Sequence, residues 1–424
     1  MRVLLVNTSE RAGGAAVATN RLLEALNNNG VKARMLVAKK ETDNINVIGI
    51  PRSWRHRVAF LWERWCIFMH LRFSKNHLFD LDIANAGVDI TSLPEFKRAD
   101  IIHLAWINQG MLSLRGIRKI LKSGKPVVWT MHDLWPVSSI CHLSLGCEKF
   151  KSHCSHCPYL PDGGGDKDLS YRIWEKKNKF FSPYNISFVA CSKWLAAEAK
   201  ASGLIPGQIV TDIPNPLNIS VFCKKDKQAA RASLGLPHDK RLIAFIAQKA
   251  TNVNKGMSYL IEACNKLVSQ YPEMRENTGV VIMGAHSEEF EGALALPVYP
   301  LGYISREKKI VEVYNAIDVF LLPSLSENLP NTIMEAMACG VPCVGFNVGG
   351  IPEMIDHGKN GYVAAFKDSA DLAKGIRWVL DEADYKSLSR YARQKVSSRY
   401  SQQAIAMKYI EVYNHAVAVK RYAL

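Results

Sequence analysis

The chain has 424 residues with 48% hydrophobic and 22% charged content, against about 150 residues for a typical domain. This excludes a single small module, a disordered chain and a collagen-like repeat. The formal charge is +15, concentrated in residues 1–215, and such a field suits nucleic acid, anionic lipid or phosphorylated ligands without separating them.

Met1-Arg2-Val3-Leu4-Leu5-Val6-Asn7 reads as a strand; its apolar run is too short for a signal-peptide core. No charge-free stretch of about 20 apolar residues occurs, so the expectation is a cytoplasmic protein, at most peripheral on the inner face of the plasma membrane. Ten cysteines in a reducing compartment are expected to be thiols, which turns a close cluster toward metal binding.

Apolar strands alternate with amphipathic helices, the pattern of parallel sheets with helical crossovers. Strands are predicted at Val3–Asn7, Ala33–Ala38, Ile101–Leu104, Val127–Met131 and Ser187–Cys191, and Gly13-Gly14-Ala15-Ala16 opens a helix. Pro214-Asn215-Pro216 breaks regular structure. A second series follows, with strands at Leu242–Ala247, Val280–Met283, Val319–Pro323 and Cys343–Phe346, and helices at Met257–Gln270, Arg306–Asn315, Thr332–Cys339 and Asp371–Leu380. The fold class is α/β with two Rossmann-like, doubly wound parallel-sheet domains facing across a cleft. The first is expected over 1–213, with a C-terminal helix of about 400–424 packing back on it, and the second over 214–399. Ligands of such sheets bind beyond the carboxyl ends of the strands.

Several groups bear on chemistry. Trp54 to Phe79 mixes aromatics with Arg52, Arg55, Arg57, Arg64, Arg72 and Lys75, a composition suited either to an anionic membrane surface or to packing on the core. His103 ends one predicted strand and His132-Asp133 follows the next, where a histidine is either structural or a ligand contact. Cys141, Cys147, Cys154 and Cys157 have C-x2-C character and could close a tetrahedral zinc site; reduced thiols or a redox-labile pair are the alternative. Asp80-Leu81-Asp82 and Asp166-Lys167-Asp168 are D-x-D triplets, read as surface loops. Glu327 lies in a loop after a strand, and Glu335 lies eight positions on, in the following helix. Carboxylates there can accept hydrogen bonds from sugar hydroxyls, or simply be solvated on a capped surface helix.

The whole phrase Pro323-Ser-Leu-Ser-Glu327-Asn328-Leu329-Pro330 through Glu335 to Gly340-Val341-Pro342, with Gly349-Gly350 beyond it, resembles the E-x7-E region of glycosyltransferase family 4. Those are retaining, metal-independent transferases of the GT-B fold. The resemblance extends to Gly13-Gly14, Pro214-Asn215-Pro216, Lys255-Gly256 and Gly302-Tyr303. It implies that Glu335 binds the ribose of a nucleotide-sugar donor and that Glu327 contacts the donor sugar, with the amides of Asn328 and Leu329 beside it. Lys255 would neutralise the diphosphate, and the Gly13-Gly14 loop would close on the donor phosphate and acceptor. His132 would meet the sugar at the reaction centre, making His132, Glu327 and Lys255 the catalytic set. Where the family places an arginine, this sequence has Gln248-Lys249, leaving Lys249 as the candidate second cation. His103 and Asp133 are candidates for acceptor contact.

The cysteine segment resembles an insertion of some bacterial members, and a zinc bound there would be structural, since four ligands leave no open position; catalysis in the family needs no cofactor. The expected reaction is sugar transfer to a saccharide or lipid-linked saccharide in bacterial surface-polysaccharide assembly. An anionic membrane surface is a further candidate partner. Another GT-B nucleotide-sugar enzyme, such as an epimerase, is the neighbouring alternative. A basic nucleic-acid-binding protein is the alternative of a different class, and it lacks a recognition module, so nucleic acid is not an expected partner.

Overall fold

The computed structural model describes residues 1–422, and the chain falls into two units: Met1–Pro216 with the residues from Ile405 on, and Leu217–Ala404. In the first unit, β1 (Arg2–Val6), β2 (Lys32–Val37), β3 (Val47–Gly49), β4 (Ile101–Leu104), β5 (Val127–Met131), β6 (Ser187–Ala190) and β7 (Ile209–Asp212) form one sheet. The order is β3-β2-β1-β4-β5-β6-β7, with every neighbouring pair parallel. Val3–Val6 and the whole of β5 are buried, as strands covered on both faces require. Leu104, Trp129 and Phe188 fill one side together with Ile117 and Trp174. Leu22 and Leu26 of the helix Gly14–Asn28, and Ile405, Tyr409 and Tyr413 of the helix Gln402–Tyr422, close the other.

The second unit carries β8 (Arg241–Lys249), β9 (Thr278–Ala285), β10 (Val298–Gly302), β11 (Val319–Leu322), β12 (Cys343–Phe346) and β13 (Gly361–Ala364). Their order is β10-β9-β8-β11-β12-β13, again all parallel. Phe245, Leu321, Val344 and Phe346 pack against Leu260, Leu267, Leu372 and Ile376 from the helices Met257–Gln270 and Ser369–Arg377.

In each unit the winding reverses beside the first strand, between β1 and β4 and between β8 and β11. Loops leaving the carboxyl ends there turn to opposite faces and open a crevice. This places Gly13 after β1 and His132 after β5, Lys249 and Lys255 around the loop after β8, and Glu327 in the loop after β11. Four strands escape the sequence reading, β3, β7, β10 and β13, and they are the four sheet edges. β10 contains Pro300, which an edge strand tolerates because it need not donate on its outer side. Among the described residues, no helix is long and apolar enough to cross a membrane.

Candidate functional site

In the second unit, two close backbone approaches bring Lys255 to Glu327. Gly256 sits at φ +75°, and a Cβ there would lie 1.8 Å from the carbonyl oxygen of Pro323; Gly349, at φ +55°, would place one 1.7 Å from that of Glu327. The Leu325 amide donates to the Asn254 carbonyl at 2.8 Å, fastening the two loops. The Lys255 ammonium thus donates to the Glu327 carboxylate, which also accepts from the Ser324 hydroxyl at 3.0 Å. Their side chains are 30% and 12% exposed, so a ligand can reach the pair. Glu335 is buried in the helix Asn331–Ala338 and accepts from the Tyr314 hydroxyl at 2.8 Å. Leu329 is buried and Asn328 half-buried in the intervening loop, while Gln248 and Lys249 are exposed at the end of β8.

The glycines give a test of this assembly. Gly256→Ala and Gly349→Ala should each lose about 1–2 kcal/mol to the positive φ alone, and more to backbone overlap. Gly302→Ala, at φ +64° with nothing within 4 Å of its Cβ position, should lose only the first part. Equal melting temperatures for the three variants would show that the loops do not hold each other as described.

In the first unit, Gly13 at φ +91° precedes the helix that starts at Gly14, a backbone conformation that a glycine adopts without strain. Asn7, just past β1, accepts from the Trp106 amide at 2.9 Å, and the Trp106 indole donates to Asp133 at 2.8 Å, tying together the ends of β1, β4 and β5. His132 is half-buried, with the Cys191 sulfur 3.5 Å from Nδ1. Desolvation pulls its imidazole down to about 4, only partly offset by Asp133. It is therefore neutral near pH 7, with one donor and one acceptor nitrogen.

One acceptor-contact expectation is corrected, and the second residue has partners of its own. His103 is fully buried, with Nδ1 2.6 Å from the Tyr413 hydroxyl and Nε2 2.7 Å from Thr130 Oγ1. Both ring nitrogens are satisfied inside the unit, so it is a core histidine. Asp133 accepts from Trp106, from the Trp135 amide at 2.9 Å and from His142 Nδ1 at 2.7 Å, so its carboxylate is committed to positioning these neighbours.

His142 is the residue that sequence reasoning passed over. Its Nε2 lies 2.7 Å from Asp82, so one ring bridges two carboxylates. Against desolvation, Asp133 and then Asp82 raise it to about 10, making it an imidazolium at neutral pH. Asp82 is fully buried and also pairs with Arg64, so the first D-x-D triplet is no surface loop at that end. Asp168 of the second triplet caps the helix Leu169–Phe181, accepting from the Tyr171 amide at 2.9 Å.

The four clustered cysteines, Cys141, Cys147, Cys154 and Cys157, are free thiols lining one apolar cavity of about 20 Å³. Burial pushes Cys154 and Cys157 up to about 12, so without a bound cation both are neutral thiols. Among the described residues, no group of three or more His, Cys, Asp or Glu side chains is arranged to hold a metal ion. The four thiols thus share one cavity wall without a preformed ligand cage among the described residues. The loop is closed by other means: Tyr159 donates to the Leu143 carbonyl at 2.7 Å, and Asp168 accepts from the Cys157 amide at 2.9 Å.

Comparison with known proteins bears on the family and the fold. The family model described as "Glycosyltransferase Family 4" matches residues 12–221, and that described as "Glycosyl transferases group 1" matches 226–395. The D-inositol 3-phosphate glycosyltransferase 2 of Catenulispora acidiphila is 31% identical over 194 residues, 42% of this chain and 44% of the relative. The chain spans about half the length of the curated relatives it matches. Among solved structures, the sucrose-phosphate synthase of Thermosynechococcus elongatus has a TM-score of 0.68 at 18% identity, covering 99% of this chain and 100% of that one. Anabaena HepE in complex with UDP-glucose gives 0.65 at 18% identity over 100% of both chains. These likenesses show the fold alone. With the two family models spanning nearly the whole sequence, one over each parallel-sheet unit, the chain belongs to the group 1, family 4 glycosyltransferases of the GT-B fold.

Proposed function

We propose that the chain is a retaining glycosyltransferase that moves a sugar from a nucleotide-sugar donor to a saccharide or lipid-linked saccharide acceptor. The carrying observation is the Lys255–Glu327 pair at the β8/β11 reversal, with Glu335 eight residues further on against Tyr314. When a donor binds, Lys255 can turn its charge to the diphosphate while Glu327 accepts from a sugar hydroxyl, so neither is left as an unpaired charge. Glu335, the more buried carboxylate, takes the ribose. The bond from the anomeric carbon to the diphosphate oxygen breaks with its electrons on the diphosphate. The acceptor oxygen bonds that carbon from the same face, and its proton passes to the departing phosphate. A surface-polysaccharide setting rests on the resemblance to bacterial members of the family.

The test is a thermal-shift panel of UDP-, GDP- and dTDP-sugars, beginning with UDP-glucose, the ligand of the HepE complex. At a hundredfold excess over its dissociation constant, the true donor should stabilise by about 2.7 kcal/mol. Sugar transfer to an acceptor, rather than release of free or epimerised sugar, should follow with that donor. Because Lys255 meets the leaving charge, transfer should persist in EDTA. A panel with no shift would remove the proposed donor site.

A further inference from the structure

The helix Trp54–His70 is built inside out. Its buried residues are Ala59, Glu63, Arg64 and Ile67, two of them ionisable, and both of these find hydrogen-bond partners within the unit. Glu63 accepts from the amides of Ile83 at 3.1 Å and Ala84 at 2.6 Å. Arg64 pairs with Asp82 and donates to the Leu78 carbonyl at 2.6 Å. The helix is therefore pinned by its polar side, and its orientation is fixed.

The opposite side carries Trp54, Val58, Leu61, Trp62, Trp65 and Met69, each between 45% and 62% exposed. At about 100° per residue, these six fall on one arc of roughly 100°. Arg55 and Arg57, both exposed, fall at its two borders. Phe73 and Phe79, each 61% exposed, extend the apolar surface past the helix end, with exposed Lys75 between them. Isolated exposed apolar side chains are ordinary, but a contiguous patch of this kind marks a binding surface.

We propose that this face docks the first unit onto an anionic lipid bilayer, with the helix lying in the plane of the interface. Three features select a bilayer over a second copy of the chain. The apolar arc is bordered on both sides by arginines rather than by alternating charge, which suits an acidic headgroup layer. Most of the chain's +15 charge lies in the residues of this unit. The apolar set is rich in tryptophan, whose ring is amphipathic and suited to the headgroup level. Arg64, although part of the basic composition of this segment, is buried on Asp82 and takes no part. The inference is independent of the donor site and stands whether or not sugar transfer is shown.

The test uses the full chain and vesicles of 30% phosphatidylglycerol in phosphatidylcholine, with pure phosphatidylcholine as control. Co-sedimentation with the anionic vesicles is expected at low salt and should weaken as salt rises. An arginine near such a surface contributes about fivefold to partition, so Arg55→Glu with Arg57→Glu should lower binding at least 25-fold. Trp62→Ser with Trp65→Ser should lower binding and reduce quenching of tryptophan fluorescence by brominated lipid, leaving only the share of Trp54. All four positions are exposed, so unchanged circular dichroism and melting temperature should accompany both losses. Absence of binding at low salt, or binding unaffected by either pair, overturns the proposal. So does a concentration-dependent dimer that Trp62→Ser with Trp65→Ser dissociates, because the face would then belong to a second copy.

Discussion

Lys255→Ala is expected to lower sugar transfer about a hundredfold, the effect of losing one preorganised contact to developing charge, or about 3 kcal/mol. The departing diphosphate carries more charge than the bound donor, so transfer should fall by more than donor affinity. Glu335→Gln and Glu327→Gln should separate differently. If Glu335 holds the ribose, its loss weakens free nucleoside diphosphate and intact donor alike, by about tenfold or more for a charged hydrogen bond. Tyr314 keeps an acceptor in the glutamine oxygen, so folding should be little affected. Glu327→Gln should leave nucleotide affinity near wild type and impair transfer, because its partner is the sugar. Calorimetry with free nucleotide, alongside steady-state transfer, reads both. Loss of nucleotide affinity in Glu327→Gln with retention in Glu335→Gln would reverse the two roles. Full transfer by all three variants would place the donor elsewhere.

Lys255 and Glu327 stand out in the sequence because each lies in a loop just past a buried strand, where the fold class makes the loop matter, and Glu335, inside the following helix, stands out by the E-x7-E resemblance. Central strands such as β11 are unbroken apolar runs. The edge strand β3 has only three residues, too short for periodicity to register, and β13 opens on Gly361, a residue depleted in strands. What could not be read are side chains whose partners are distant in the chain. His103 ends a strand as a ligand histidine would, yet Tyr413 meets it from 310 residues away. The composition of the Trp54–His70 helix was plain, but its facing was not. Nothing local shows that Glu63 and Arg64 turn inward, because their partners at Asp82, Ile83 and Ala84 arrive on a later loop. The cysteine segment is likewise a loop closed by Tyr159 on the Leu143 carbonyl and by Asp168 on the Cys157 amide, contacts that its spacing does not announce.

The second large effect is expected at a residue with no assigned contact to substrate. His142→Ala should destabilise the first unit by about 3–5 kcal/mol, the range for breaking a buried ion pair from one side. Asp82 has no exposure and keeps Arg64, whereas Asp133 loses its sole cationic partner among the hydrogen bonds described, retaining only the neutral donors Trp106 and Trp135. The pH dependence has a definite sign. His142 is raised from 6.5 to about 10 by Asp133 and Asp82 against desolvation, so its stabilisation is complete below 6.5 and disappears as pH rises through 10. Asp133, despite desolvation, is held below its ordinary 3.8 by His142, so its stabilisation is present above 3.8 and disappears as pH falls further. The deficit of His142→Ala should therefore be largest near pH 6 and shrink toward pH 10. Of the nine tryptophans, only Trp378 lies in the second unit, so urea unfolding followed by tryptophan fluorescence reports chiefly on the first. Asp133→Asn combined with His142→Gln removes the stranded charge along with the cation, and should recover much of the loss. A deficit under about 1 kcal/mol at pH 6, or one that is equal at pH 6 and pH 10, would mean that His142 sits between the two carboxylates as a neutral ring and that the ends of β1, β4 and β5 are held by the Trp106 and Asn7 hydrogen bonds alone.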